Sequence, residues 1–143
     1  MALLSAQDEL VLTQHLSAIH KPVSLVLFTQ TIAGSESGIV AKQVLSELAH
    51  LNDKITVVEK NFILDLDDRA RYGVDKSPAI VVLSDGNDTR MRFYGAPTGY
   101  EFVPLVEAVL LAGTGNLELE EETVKLIATV DKPMHLQVFS TPT

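Results

Sequence analysis

The chain has 143 residues, 46% of them hydrophobic, and a formal charge of −8. That length supplies one domain of ordinary size with room for part of another, and the acidic balance disfavours a sequence-independent grip on nucleic acid or anionic lipid. It contains no cysteine, so it has no disulfide, thiolate nucleophile or cysteine-ligated metal.

In chain order, residues 5–19 place Leu10, Val11, Leu12, Leu16 and Ile19 at roughly helical spacing, with Ser5 as the N-cap and Lys21-Pro22 as the break. Residues 23–28 form a β-rich, nearly continuous apolar run, as expected of a strand buried on both faces. A small, polar loop over 29–38 leads to a second helix, 39–51, whose apolar stripe runs Ile39, Val40, Val44, Leu45, Leu48, Leu51. Asn52-Asp53 turns the chain into a strand at 55–58, and strand–helix–strand of this length implies a right-handed parallel crossover. A short helix is expected over 65–72 and a third strand over 78–83. Turn chemistry at 85–88 then makes a hairpin with a fourth strand, 90–94. A last helix, 99–111, is stopped by Gly113 and Gly115. The order is βαβαββα behind an N-terminal helix: a small α/β domain with a mixed sheet, over residues 1–113.

Residues 114–143 continue with an acidic helix start (Glu118, Glu120, Glu121, Glu122) over 117–130 and an alternating strand pattern over 134–139. When Lys132-Pro133 is laid over Lys21-Pro22, Ile127 falls on Leu16, Val130 on Ile19, Leu136 on Leu25 and Phe139 on Phe28. Both stretches read as helix, Lys-Pro break and strand ending in Phe. That is the signature of an internal repeat, here a second unit broken off after one helix and one strand. The alternative is a C-terminal extension that packs on the first domain.

The segment Tyr72-Gly73-Val74-Asp75-Lys76-Ser77-Pro78, leading into a strand, resembles the thioredoxin superfamily, in which a similar segment ends in a cis-proline. Phe93-Tyr94-Gly95-Ala96-Pro97-Thr98-Gly99-Tyr100-Glu101-Phe102 is similar to the same region of tandem glutaredoxin-like proteins. These are the protein disulfide oxidoreductases and the N-terminal domain of the F component of alkyl hydroperoxide reductase. The final Phe139-Ser140-Thr141-Pro142-Thr143 resembles the strand end that in this family precedes a Cys-x-x-Cys motif.

The resemblance implies a thioredoxin-like fold with a four-stranded mixed sheet and a cis Ser77-Pro78 bond that serves as a docking point for a partner's extended backbone. It places the active-site loop of the first unit at Ala33, Gly34, Ser35 and Glu36, with Ala33 and Glu36 at the two cysteine positions. Neither residue exchanges disulfides, so the first unit is expected to be redox-silent. In the second unit the first cysteine would fall immediately after Thr143. A selenocysteine codon read as stop would end a chain there; domain trimming, proteolysis and a genuine gene end are the alternatives.

The implied parent is a thiol-disulfide oxidoreductase of cell redox homeostasis that acts on protein thiols and disulfides or with a reductase. The competing reading is a cysteine-free interaction or dimerisation module. The orphan strand is expected to pack on its own sheet or to be exchanged between two chains as a homodimer.

Other constellations carry less. Gly34-Ser35-Glu36-Ser37-Gly38 has glutamate where a nucleophile elbow needs serine and lacks the lysine of a phosphate loop. Asp65, Asp67 and Asp68 lack the glycine and bidentate glutamate of a calcium loop and read as helix capping. His15, His20, His50 and His135 form no helical metal pair, and Glu59 and Lys60 read as surface ions. No metal, cofactor, nucleic acid or membrane partner is expected. No apolar run reaches the ~20 residues that span a bilayer, and the N-terminus lacks a signal pattern, so the expected location is cytoplasmic.

Overall fold

A computed structural model describes residues 3–30 and 35–141. The first helix, α1 (Ala6–Leu16), opens on a capping box: Ser5 Oγ accepts from Asp8 N–H at 3.2 Å, and Asp8 Oδ2 accepts from Ser5 N–H at 3.2 Å. It stops at Leu16 and not at Ile19 because the Asn52 side chain takes the Leu16 carbonyl at 2.8 Å. The chain then turns so that the His20 and Lys21 N–H groups both donate to Gly113 O.

Strand β1 (Val23–Thr29) is the centre of a four-stranded sheet of order β2-β1-β3-β4. Parallel to it runs β2 (Ile55–Asn61), with Leu25 opposite Val57; antiparallel to it runs β3 (Ala79–Ser84), with Leu25 opposite Val82. The expected crossover between these parallel strands is supplied by α2 (Glu36–His50).

The nearly continuous apolar run of β1 is explained by cover on both faces. Val23, Leu25 and Leu27 point into the main core with Leu16 and Ile19, Val44, Leu45 and Leu48 of α2, and Leu105 and Val109 of α4 (Phe102–Thr114). Val26 and Phe28 point the other way, into a smaller core with Phe62, Val74, Ala79, Val81 and Leu83, against which Tyr72, the C-cap of the short α3 (Leu66–Arg71), packs. The periodicity of each element thus agrees with the layer it faces.

The hairpin to β4 (Asn87–Tyr94) is tighter than the sequence suggests. Asp85 and Gly86 have φ of 48° and 77°, so they alone form the two-residue turn, and β4 begins at Asn87. The ladder is irregular between Val81 and Leu83, opposite Arg90 with its φ of 67°, the signature of a bulge.

The chain enters α4 through a 3-10 turn (Gly99–Glu101). Gly113 does not stop α4; it lies inside it, and Gly115, with φ of 70°, is the left-handed C-cap.

Beyond it, α5 (Glu121–Ala128) is shorter than the expected 117–130 and buries no residue. The strand expected over 134–139 is not formed: those residues have no ladder partner, and Met134, Leu136, Val138 and Phe139 are all exposed. The expectation that it packs on the domain's own sheet is therefore not met. Physically, a strand is made by its neighbours. Strand β1, over which the sequence pattern lays this segment, draws its ladder from β2 and β3, and nothing among the described residues plays those parts for 134–139.

Candidate functional site

The carboxyl ends of β1 and β2, the start of α2 and the loop before β3 meet at one end of the sheet. Of the expected degenerate loop, Ala33 and Gly34 lie outside the described residues. Ser35 is the N-cap of α2: its Oγ accepts from Gly38 N–H at 3.3 Å and lies 2.7 Å from Ser37 Oγ. Glu36 is the first residue of the helix and is exposed. A helix N-terminus carries unpaired N–H groups and a positive dipole end, the setting that stabilises a thiolate when a cysteine stands there. Here a hydroxyl and a carboxylate occupy it, and neither does redox chemistry.

Ser77 and Pro78 stand next to this helix start through β1. Ser77 Oγ donates to Phe28 O at 3.4 Å, Pro78 is buried, and the Ser77-Pro78 peptide bond is cis. Pro78 O accepts from Gly95 N–H at 2.9 Å, which ties the loop to the end of β4. The structure thus brings Ser35, Glu36, Ser77 and Pro78 to the same end of the sheet.

A brace beneath this loop is invisible to motif reading. Tyr72 meets Phe28 edge-on, with ring centroids 6.3 Å apart. Arg92 donates to Tyr72 O from Nε at 3.1 Å and from Nη2 at 3.0 Å, and grips Asp88 through Nη1 and Nη2 at 2.8 and 2.7 Å. The one available signal is the even spacing of Asp88 and Arg92, which puts both on one face of β4.

The Arg92 hydrogen bonds hold the Asp88 carboxyl down at about 2, against the opposing effect of burial. Because the folded value lies below the unfolded one, this contribution to stability is full above pH ~4 and is lost as pH falls through about 2. With the Asp88 side chain 34% exposed, screening reduces the contribution to about 1 kcal/mol. Asp88→Asn is accordingly expected to cost about that much in urea unfolding at pH 7 and to flatten the loss of stability on acidification. An unchanged acid limb would show that the pair contributes nothing.

The remaining candidates resolve into structural roles. Asp65 occupies the N-cap position of α3, yet its side chain does not cap the helix as expected. Its Oδ2 accepts from Asn61 N–H at 2.6 Å and closes the loop behind β2. Asp68 pairs with Lys60 at 2.6 Å and Glu59 with Lys42 at 2.9 Å, as surface ion pairs. Among the described residues no three His, Cys, Asp or Glu side chains are grouped to hold a metal, and no helix is long and apolar enough to cross a membrane.

No protein-family model matches the chain. It is 32% identical over 137 residues, 96% of its length, to the F component of alkyl hydroperoxide reductase (AhpF) of Xanthomonas campestris pv. phaseoli, of which it spans 23%. Among solved structures it superposes on the N-terminal domain (NTD_N/C) of alkylhydroperoxide reductase AhpF from Enterococcus faecalis with a TM-score of 0.82 and 28% identity. The match covers 90% of this chain and 62% of that one. The chain has a thioredoxin-like fold.

It is similar to the N-terminal domain of AhpF. A protein disulfide oxidoreductase from Aeropyrum pernix shares the fold, at a TM-score of 0.75 and 18% identity over 87% of this chain and 54% of that one. The chain spans about a fifth of the length of the curated AhpF relatives it matches. It is a domain of thioredoxin-like fold, similar to part of AhpF, and it carries no cysteine.

Proposed function

We propose that this chain is the redox-silent thioredoxin-like unit of a thiol-disulfide oxidoreductase, providing scaffold and a docking surface around Ser77 and Pro78. The observation that carries this reading is the start of α2, where Ser35 caps the helix and Glu36, read as the second of the two cysteine positions, opens it, while the neighbouring loop stays braced by Phe28, Tyr72 and Arg92. A site that had lost all use would not need that bracing.

In the complete protein a second unit, opened by α5 and residues 134–139, would carry a Cys-x-x-Cys centre or its selenocysteine equivalent, and the codon following Thr143 tests the selenocysteine version. The partners are then protein thiols and disulfides or a reductase, and the reaction of the whole protein would resemble that named for its relatives, the reduction of alkyl hydroperoxides. The purified chain is expected to leave insulin disulfides intact in dithiothreitol beyond the uncatalysed rate; measurable turnover contradicts the proposal.

A second reading, a cysteine-free docking or dimerisation module, is favoured by the exposed apolar side chains Met134, Leu136, Val138 and Phe139, an edge-like segment open to pairing with another chain. Light scattering separates the two: a dimer that dissociates when Val138 and Phe139 are replaced by serine supports exchange between copies, and a monomer at all concentrations excludes it.

A further inference from the structure

The sheet has two open edges, and they are built differently. On β4 the edge is blunted. Its ladder is irregular, Arg90 stands at φ of 67°, and the Arg90 and Met91 N–H groups are taken by Asp88 Oδ1 at 2.8 Å and Thr89 Oγ1 at 3.3 Å. Bulges of this kind keep a foreign strand from adding to an edge.

Strand β2 has none of these devices. Its register with β1 runs unbroken from Ile55 to Asn61, without a proline. The phase of its hydrogen bonds is fixed at both ends, where Val23 N–H donates to Lys54 O and Phe62 N–H donates to Thr29 O, each at 2.8 Å. Between these points parallel pairing turns the backbone groups of Thr56, Val58 and Lys60 towards β1 and those of Ile55, Val57 and Glu59 away from it. The Ile55 N–H is taken by Asn52 O, and the Asn61 N–H and C=O are both taken by Asp65. The N–H and C=O groups of Val57 and Glu59 therefore form a short open stretch closed at either end, and among the described residues no strand pairs with it. The charged side chains along it are engaged within the domain, Glu59 with Lys42 and Lys60 with Asp68. Val58, between Val57 and Glu59, is 39% exposed.

These groups select an extended backbone, and β2 itself is the strand that answers them. With Val58 opposite the Val58 of a second copy, Val57 falls opposite Glu59, and the N–H and C=O of each meet those of the other. The exposed valines then face each other at a non-hydrogen-bonded position, where side chains approach most closely, and Lys60 falls opposite Thr56. A register centred on Val57 would instead set Lys60 directly against Lys54, which is repulsive. It would also point Glu59 O at the Ile55 N–H, which is already taken.

We propose that the β2 edge is a homotypic docking surface, on which a second copy of this chain adds its own β2 antiparallel about a two-fold axis at Val58. The contact is short, below the size of a permanent interface, so the association is reversible and concentration-dependent. Each copy carries a formal charge of −8, and salt strengthens the pairing by screening that repulsion.

The test follows the wild type by light scattering and amide exchange from about 10 μM to about 1 mM, the range of weak association. The mean mass is expected to rise towards that of two chains, and the Val57 and Glu59 amides to gain about tenfold or more in protection with it. Val58→Lys and Val58→Glu each set like charges opposite one another and should stay monomeric, while their equimolar mixture associates again. The chain has no cysteine of its own, so a single Val58→Cys reports the register. Glutathione disulfide should link it into a covalent dimer at least about tenfold faster than Thr56→Cys, which is exposed on the same face of β2 but pairs with Lys60. A wild type that stays monomeric with unchanged Val57 and Glu59 exchange overturns the proposal. So does association that survives Val58→Lys, or that is lost instead when Val138 and Phe139 are replaced by serine. Equal cross-linking of the two cysteine variants overturns the register.

Discussion

Replacing Phe28 by alanine is expected to destabilise the domain by about 3–5 kcal/mol, the cost of emptying a well-packed aromatic site, and to lower the melting temperature by about 10–20 °C. Phe28 is fully buried at the end of the central strand, and it forms the floor of the smaller core, with Tyr72 packed edge-on against it. Its carbonyl holds Ser77 and its ring supports Tyr72, whose carbonyl is gripped by Arg92, so the damage should reach the loop before β3. Amide exchange should therefore show residues 73–77 losing protection beyond the global loss. Phe28→Leu, which refills most of the volume, is expected to cost about half as much or less. If the two variants proved equally mild, the small core would not be what supports the loop.

Gly113→Ala should be the most damaging change of one methyl group. A Cβ built there would lie 2.6 Å from Ile19 Cγ2 and 2.7 Å from Ile19 Cγ1. Ile19 is β-branched and 4% exposed, so it has no rotamer to yield into. Alanine gains up to about 1 kcal/mol of helix propensity over glycine, yet the overlap outweighs that gain, and the expected net loss is about 1–3 kcal/mol. The backbone at this point also accepts the His20 and Lys21 N–H groups, so displacing α4 strains the entry to β1. The collision is checked by a double-mutant cycle. Ile19→Ala alone should cost about 2–4 kcal/mol, and adding Gly113→Ala to it should cost almost nothing further, a coupling of at least about 0.5 kcal/mol. Strictly additive losses would mean that the two residues do not meet.

These two positions also show what was legible in the sequence. The apolar run of β1, the stripe of α2 and the Lys-Pro break each follow from residue order alone, and the structure places them where that order implies. Phe28 reads as buried, since Leu25, Val26 and Leu27 before it are all apolar. Gly113 reads as a stop signal because glycine usually ends helices; its actual cause is a close approach by Ile19, a residue far earlier in the chain, which no local pattern encodes.

The same limit applies at the site. Ser77 and Pro78 announce themselves through a local motif, whereas the Arg92 brace joins residues brought together only by the fold. The strand expected over 134–139 failed for a related reason: alternation marks a segment able to pair, but pairing needs a partner. Asp65 shows the local version of this ambiguity, since the same side chain can cap the helix ahead or close the loop behind, and it closes the loop.

The central claim is that the start of α2 retains the setting of a thiol site after the thiol itself has gone. Its most direct test is the thiolate titration of Glu36→Cys, followed by ultraviolet absorbance in the folded protein. The helix dipole and the free N–H groups of the first turn predict a pKa below the ~8.5 of an unperturbed cysteine, returning to that value on unfolding in urea. A folded-state pKa at or above the unfolded one would contradict the account.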